Sequence, residues 1–239
     1  MTSGIFVSGT DTGVGKTLVA AALLRALVAA GRRAVGMKPV ATGVEPGETV
    51  NADVRALLAA GNVLAPLADV NPIAFARAIA PELAARAAGT AIDVQRIVGA
   101  YARLATGADA VVVEGAGGVL VPLARGVDML DIPARLGLPV LLVVGIRLGC
   151  LNHALLSALA LNARGVRMAG WVANRIDPQM READANVAAL GERLPAPLVA
   201  DFAWRERDAP LPEVDRAALS LLGFGSSQHR VARQVLPAP

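Results

Sequence analysis

Cysteine, lysine, histidine and aromatic side chains are all scarce in this chain of 239 residues, and each scarcity excludes something. Cys150 stands alone, so neither an intramolecular disulfide nor a cysteine-based metal cluster can form within one chain, and a reducing compartment, the cytoplasm, is expected. No apolar run approaches the roughly 20 residues that a membrane-spanning helix needs. Leu138 to Ile146 is among the longest, and Arg147 closes it. Met1 to Gly4 leads straight into an apolar strand with no leader-like basic and long apolar segments, so neither membrane insertion nor export is expected. Aromatic residues make up 3% of the chain against 54% hydrophobic in total, so the core must come from Ala, Leu and Val, as aliphatic helices packed on buried strands. The net charge of +3 comes mostly from arginines scattered singly along helical segments, with no basic run, which argues against nucleic acid as a partner. Lysine is the informative scarcity. Only Lys16 and Lys38 are lysine among 23 basic residues, and a compact ammonium used twice in an arginine-biased chain invites a chemical reason at both places.

Short apolar runs alternate with longer helical patterns: Ile5 to Ser8, then a helix over Thr17 to Ala30; Ala34 to Met37; Ala110 to Val113; Val140 to Val144, then a helix over Asn152 to Arg164; and Met168 to Ala173. The alternation predicts an α/β fold with a mostly parallel sheet and helices on both faces. The runs are continuously apolar, as expected of strands covered on both sides. Ligands of such sheets bind beyond the carboxyl ends of the strands, so the segments that follow each run are where chemistry is sought. No linker divides the chain before residue 222, which predicts one domain over 1–222. Gly223 to Pro239 reads as a C-terminal tail, with His229 in it and inert.

Gly9-Thr10-Asp11-Thr12-Gly13-Val14-Gly15-Lys16-Thr17 follows a strand and opens an amphipathic helix, the context a P-loop requires. Backbone N–H groups of the glycine-rich turn and the helix N-terminus favour phosphate. Lys16 reaches the β- and γ-phosphates, and the Thr17 hydroxyl binds Mg²⁺, which makes ATP the expected cofactor. Thr10 stands where the strict G-x-x-x-x-G-K-T pattern has glycine, so the loop is a variant.

Other strand ends carry further groups. Lys38 precedes Pro39 and leads to Thr42 and Gly43; its ammonium can stabilise a transferring phosphoryl group or an anionic substrate, or it can be a solvated loop lysine. Glu114 ends a valine strand and is followed by Gly115-Ala116-Gly117-Gly118, where backbone can approach a ligand closely; a carboxylate there can hold Mg²⁺. Asp53 is either the second carboxylate of that site or a first-turn helix acid. Asp128 and Asp131 are weaker candidates that can equally cap a helix. Gly149-Cys150-Leu151-Asn152-His153 offers a second helix N-terminus for an anion, with His153 either catalytic or making a structural hydrogen bond. The Asn174 amide, at the end of Trp171-Val172-Ala173, could read a purine edge.

Gly9 to Thr17, Lys38 to Gly43, Val113 to Gly118, Leu148 to His153 and Gly170 to Asn174, in that order, resemble the dethiobiotin synthetase family over about residues 3 to 204. The resemblance implies a P-loop NTPase-like fold and a cyclo-ligase of biotin biosynthesis. Such an enzyme closes the ureido ring of dethiobiotin from 7,8-diaminopelargonate, CO₂ or bicarbonate and MgATP, through a carbamate and its carbamic-phosphoric anhydride. Carried over, Thr17, Asp53 and Glu114 are the metal ligands. Lys16, Lys38 and Thr12 are the catalytic groups, and Thr10 to Thr17 with Asn174 hold the nucleotide. Lys38, Thr42 and Gly115 line the substrate site, and Leu151 and Asn152 receive the substrate carboxylate across a homodimer interface. Two departures matter. Gly13 stands where some members have glutamate, so position 13 is given no catalytic acid. Ala200 to Trp204 lacks the glycine and proline that many members carry, which implies a changed grip on the base and a relaxed nucleotide preference. The rivals are a partition or positioning P-loop ATPase, which would carry a second lysine where Asp11 stands, and a corrinoid amidotransferase-like enzyme, which would bring a glutaminase cysteine that Cys150 does not match.

Overall fold

In the computed structural model, which describes residues 3–44, 47–206 and 209–225, the continuous apolar runs lie side by side as one parallel sheet. The first half of the chain contributes β1 (Ser3–Gly9), α1 (Lys16–Ala29), β2 (Ala34–Met37), β3 (Val40–Thr42), α2 (Ala52–Ala60), α3 (Leu67–Val70), β4 (Ile73–Phe75), α4 (Pro81–Ala87) and α5 (Val94–Gly107). The second half adds β5 (Ala110–Gly118), β6 (Pro122–Ala124), β7 (Val127–Asp128), α6 (Asp131–Leu136), β8 (Val140–Ile146), α7 (Cys150–Ala163), β9 (Met168–Arg175), α8 (Ala183–Arg193), β10 (Leu198–Phe202) and α9 (Arg216–Leu221). The main sheet has the order β10-β9-β8-β1-β5-β2, and every pairing in it is parallel.

Its two faces are both buried. Ile5, Val7, Val112, Leu141 and Val143 pack with Val19, Leu23, Leu24 and Leu27 of α1 and with Leu219 of α9. Phe6, Val111, Val113, Leu142, Val144 and Trp171 point the other way, onto Ile97 and Leu104 of α5, Ala154 and Leu161 of α7 and Leu190 of α8. Alternate residues of each strand thus serve opposite layers, which is why these strands carry no polar alternation. At about 25 cal/mol for each Å² of apolar surface removed from water, this two-layer core is the main source of stability.

The five predicted main-sheet runs are all strands, but four run further than predicted, β1 spanning Ser3–Gly9 instead of Ile5 to Ser8. Glu114 does not end its strand: β5 continues through Gly118, so the carboxylate sits in mid-strand, in register with Val7 of β1. β8 extends to Ile146 and β9 to Arg175, because the two strands go on pairing with each other, Gly145 with Asn174 and Ile146 with Arg175. The packed chain also passes Leu222, where the tail was expected to begin. Phe224 is buried against α9, and Gly225 O accepts a hydrogen bond from Arg32. The rest of the expected tail, with His229, lies outside the described residues. None of the helices formed by the described residues is long and apolar enough to cross a membrane.

Candidate active site

Beyond the carboxyl ends of β1, β2, β5 and β9 lies an open cleft of about 1050 Å³. Thr12, Gly13, Gly15, Lys16, Thr17, Lys38, Thr42, Asp53, Glu114 and Asn174 all line it, so residues spread over more than two thirds of the chain meet in one place. Thr10, Asp11 and Val14 belong to the loop but not to the cleft wall, and Val14 is buried in the core. Gly115 contributes its carbonyl to Lys38 from behind the wall.

The phosphate loop is shaped by its glycines and by one distant amide. Gly15 precedes α1 with φ 93°, a left-handed conformation that side-chain-bearing residues rarely adopt. A Cβ at Gly15 would also collide with the amide of Asn174. That amide nitrogen donates to Val14 O at 2.9 Å, tying the end of β9 to the loop. Asn174 therefore commits one donor to the protein and keeps the rest of its amide at the cleft. Lys16, the first residue of α1, is buried and rests its Nζ on Asp11 O at 2.9 Å. Burial, with Lys38 adding repulsion, lowers its pKa to about 8.

Opposite the loop, Lys38 is almost fully buried, and its Nζ lies 2.5 Å from Glu114 Oε1, 2.8 Å from Asp53 Oδ2 and 3.1 Å from Gly115 O. Thr17 Oγ1 donates to the same Glu114 oxygen at 2.8 Å. Burial pulls the Lys38 ammonium down, but Glu114 and Asp53 more than reverse it and hold it above the usual lysine range. Burial pushes the Glu114 carboxyl up, and Lys38 opposes this without cancelling it. Asp53 is raised by its own burial, yet the neighbouring cations and the Thr17 hydroxyl bring it below the usual carboxylate range. Glu114 Oε2 is buried with no hydrogen-bond partner, an orphaned acceptor beside a hydroxyl and a second carboxylate. This hard-oxygen donor set suits Mg²⁺, which takes one or two carboxylates and completes its shell with water and phosphate.

Two asparagines that the sequence reading did not single out position the cluster. Asn51 caps α2, its carbonyl oxygen accepting from Asp53 N, while its Nδ2 donates to Thr42 O and Gly43 O at 3.1 Å each. Asn71 Nδ2 donates to Lys38 O at 2.7 Å. Asn51 was legible as a helix cap; Asn71, which also donates to Ile73 O at 3.0 Å, carried no sign of its bond to Lys38 O, 33 residues away. Arg175 and Trp204 also line the far end of the cleft, and Arg175 is held by Asp201 through Nε at 2.9 Å and Nη2 at 2.7 Å.

Several candidates lie elsewhere. Asp128 and Asp131 receive the two arms of Arg164 and accept backbone N–H groups around the start of α6, so they cap and bridge and are not part of the carboxylate cluster. Leu151, Asn152 and His153 are on the first turn of α7, outside this chain's own cleft. The His153 N–H donates to Gly149 O, and its carbonyl accepts from Ser157 Oγ.

A parallel six-stranded sheet whose central strand feeds a glycine turn, a buried lysine and a helix N-terminus defines a P-loop NTPase-like protein that binds ATP. The family described as AAA domain matches residues 3–208. The ATP-dependent dethiobiotin synthetase of Nitrosospira multiformis is 53% identical over 199 residues, covering 83% of this chain and 87% of that protein. The synthetases of Xanthomonas axonopodis pv. citri (48% over 202 residues; 84% and 90%) and Aromatoleum aromaticum (50% over 196 residues; 81% and 87%) are similar to it as well. The chain belongs to the ATP-dependent dethiobiotin synthetase family, as a cyclo-ligase of biotin biosynthesis.

Solved structures share the fold at much lower identity. The septum site-determining protein MinD of Pyrococcus horikoshii, complexed with Mg-ADP, superposes with a TM-score of 0.54 at 20% identity over 94% of this chain and 87% of that one. A plasmid partition protein of Borrelia burgdorferi bound to AMPPNP gives 0.55 at 9% identity over 93% and 97%. These likenesses concern the fold alone.

Proposed function

We propose that the chain joins CO₂ to diaminopelargonate and closes the ureido ring at the expense of ATP, releasing ADP and phosphate. The observation that carries this reading is the buried Lys38 held between Glu114 and Asp53 within the same cleft as Lys16 and Thr17. One amine of the substrate takes up CO₂ as a carbamate and loses a proton. The carbamate oxygen accepts the γ-phosphoryl group from ATP, and the neighbouring amine then attacks the carbonyl carbon as phosphate leaves.

In this reading the backbone of Thr10 to Thr17 cradles the phosphates, and Lys16 follows the charge on the β- and γ-phosphates. Lys38 and the Thr12 hydroxyl face the carbamate, where an ammionium-type point charge stabilises the oxygen that becomes phosphorylated. Thr42 and the Gly115 backbone line the substrate, and Asn174 takes the base. Thr17, Asp53 and Glu114 would hold Mg²⁺. Bound there, Mg²⁺ would offset the negative charge of the β- and γ-phosphates.

Leu151 and Asn152 are proposed to serve the cleft of a second copy, with the substrate carboxylate at the α7 N-terminus. Support comes from α7 itself, whose solvent side carries Leu156, 57% exposed, beside its buried Ala154, Ala158 and Leu161. Leu148 just before it is 91% exposed and Leu159 on it 64%, surface that a homodimer would cover.

The test is turnover with diaminopelargonate, bicarbonate and MgATP, measuring phosphate release and dethiobiotin together. The two should form in equal amounts. Phosphate release that ignores the diamine, with no dethiobiotin, would instead favour an ATPase switch.

A further inference from the structure

Arg147 plays no part in the chemistry above and does not line the cleft, yet it is joined to the phosphate loop. Its Nη2 donates to Asp11 Oδ2 at 2.7 Å. Asp11 is a junction. Its other carboxylate oxygen accepts the Thr12 N–H at 2.7 Å, and its main-chain carbonyl accepts Lys16 Nζ at 2.9 Å. One residue earlier, Thr10 N donates to Val143 O of β8 at 3.0 Å, so the outer arm of the loop is laid along β8, the strand that Arg147 follows. Arg147 is itself fixed at its base, where its carbonyl accepts Cys150 N at 3.0 Å in the turn that opens α7.

We propose that Arg147 is a positioning residue for ATP binding: it neutralises and anchors Asp11, and through Asp11 sets Thr12 and Lys16 at the cleft. Two physical reasons converge. A loop with glycines at 9, 13 and 15 has a large conformational entropy to lose, and a tie to a rigid strand end reduces what remains to be lost on binding. A carboxylate inside a phosphate cradle also repels the phosphates it borders, and a guanidinium paired with it offsets that repulsion. The inference rests on the reading of Gly9 to Thr17 as the ATP phosphate loop.

The side chains of Arg147 and Asp11 are 41% and 46% exposed, so a change of a few fold is expected and not a loss of activity. Arg147→Gln should raise the KM for MgATP roughly three- to tenfold, with kcat within about twofold and the melting temperature unchanged. Arg147→Lys should recover most of the affinity. The decisive comparison is Asp11→Asn in the Arg147→Gln background. Once the cation is gone, removing the carboxylate should restore part of the MgATP affinity, whereas a merely structural tie would leave the double variant no better than the single one. Calorimetric MgATP binding to each protein supplies a readout separate from turnover. A wild-type KM in Arg147→Gln, or a double variant as weak as Arg147→Gln alone, would overturn the proposal while leaving the synthetase reading intact. Failure of the wild-type protein to bind MgATP would remove both. Should Arg147→Gln not fold, Arg147→Met, which keeps the apolar stem and drops the charge, takes its place with the same expected rise in KM and the same overturning result.

Discussion

Lys38 Nζ and Glu114 Oε1 lie 2.5 Å apart at positions 76 residues apart in the chain, both shielded from solvent, with Asp53 completing the contact from α2. The pocket is built around a point charge. A guanidinium is wider and planar, so Lys38→Arg should keep a cation but displace it from the proposed carbamate position. We expect kcat to fall by about two orders of magnitude or more, the size of effect seen when a preorganised charge at the reacting atoms is lost. The fold should persist, checked by circular dichroism. Activity near wild type would make Lys38 a structural counter-ion only.

Glu114→Gln tests the metal assignment. The amide keeps the shape and removes the charge, so the Mg²⁺ concentration for half-maximal activity should rise by about tenfold or more. Asp53→Asn, at a side chain that is 41% exposed, should act in the same direction and less strongly. An unchanged Mg²⁺ titration in Glu114→Gln would remove that residue from the ligand set.

The Lys16 pKa of about 8 sets a pH dependence with a definite sign. Phosphate attracts the protonated form, and binding ATP raises the lysine pKa. Below about pH 8 the free protein already carries the proton, so the KM for MgATP should be flat. Above it a proton must be taken up on binding, and KM should rise toward tenfold per pH unit. Calorimetry at pH 8.5 in buffers of different ionisation enthalpy should detect that uptake, and equal heats across the buffers would contradict the lowered pKa.

Gly15→Ala combines two penalties, a left-handed φ of 93° and a collision with Asn174. The conformational part alone costs roughly 1–2 kcal/mol. Melting temperature and MgATP affinity should both fall. In melting temperature, adding Asn174→Ala should recover no more than the steric share, because the backbone penalty stays and the hydrogen bond to Val14 O is lost as well. Full recovery in the double variant would show that φ at this position is unimportant.

Leu159→Glu tests the dimer. A carboxylate on the exposed apolar side of α7 should shift sedimentation toward monomer and reduce turnover through the substrate KM, while ATP binding stays near wild type. A dimer that survives this change would move the interface away from α7.

Much of the site was legible because its chemistry is local. The glycine turn and Lys16-Thr17 read as a phosphate cradle, the two lysines stood out by rarity, and Glu114 followed a valine run. What was not legible came from long-range closure. Asn71 reaches the Lys38 carbonyl, Asn174 reaches Val14 across 160 residues, and Arg147 reaches Asp11 across 136, none of which leaves a mark in a neighbouring sequence pattern. Asp128 and Asp131 show the converse. As acids they were candidate metal ligands, and only their contact with Arg164 decided otherwise.

By itself, then, the sequence determined the parallel α/β class, the strand-turn-helix phosphate loop and the identity of the charged groups, because apolar periodicity and turn chemistry act over a few residues. The tertiary structure decided which of those charges meet. Parallel pairing of β5 beside β1 places Glu114 level with Val7, just before the phosphate loop, and the cap at Asn51 swings Asp53 onto Lys38. That choice depends on register and on long-range packing, where a buried ammonium is stable only if two distant carboxylates arrive with it.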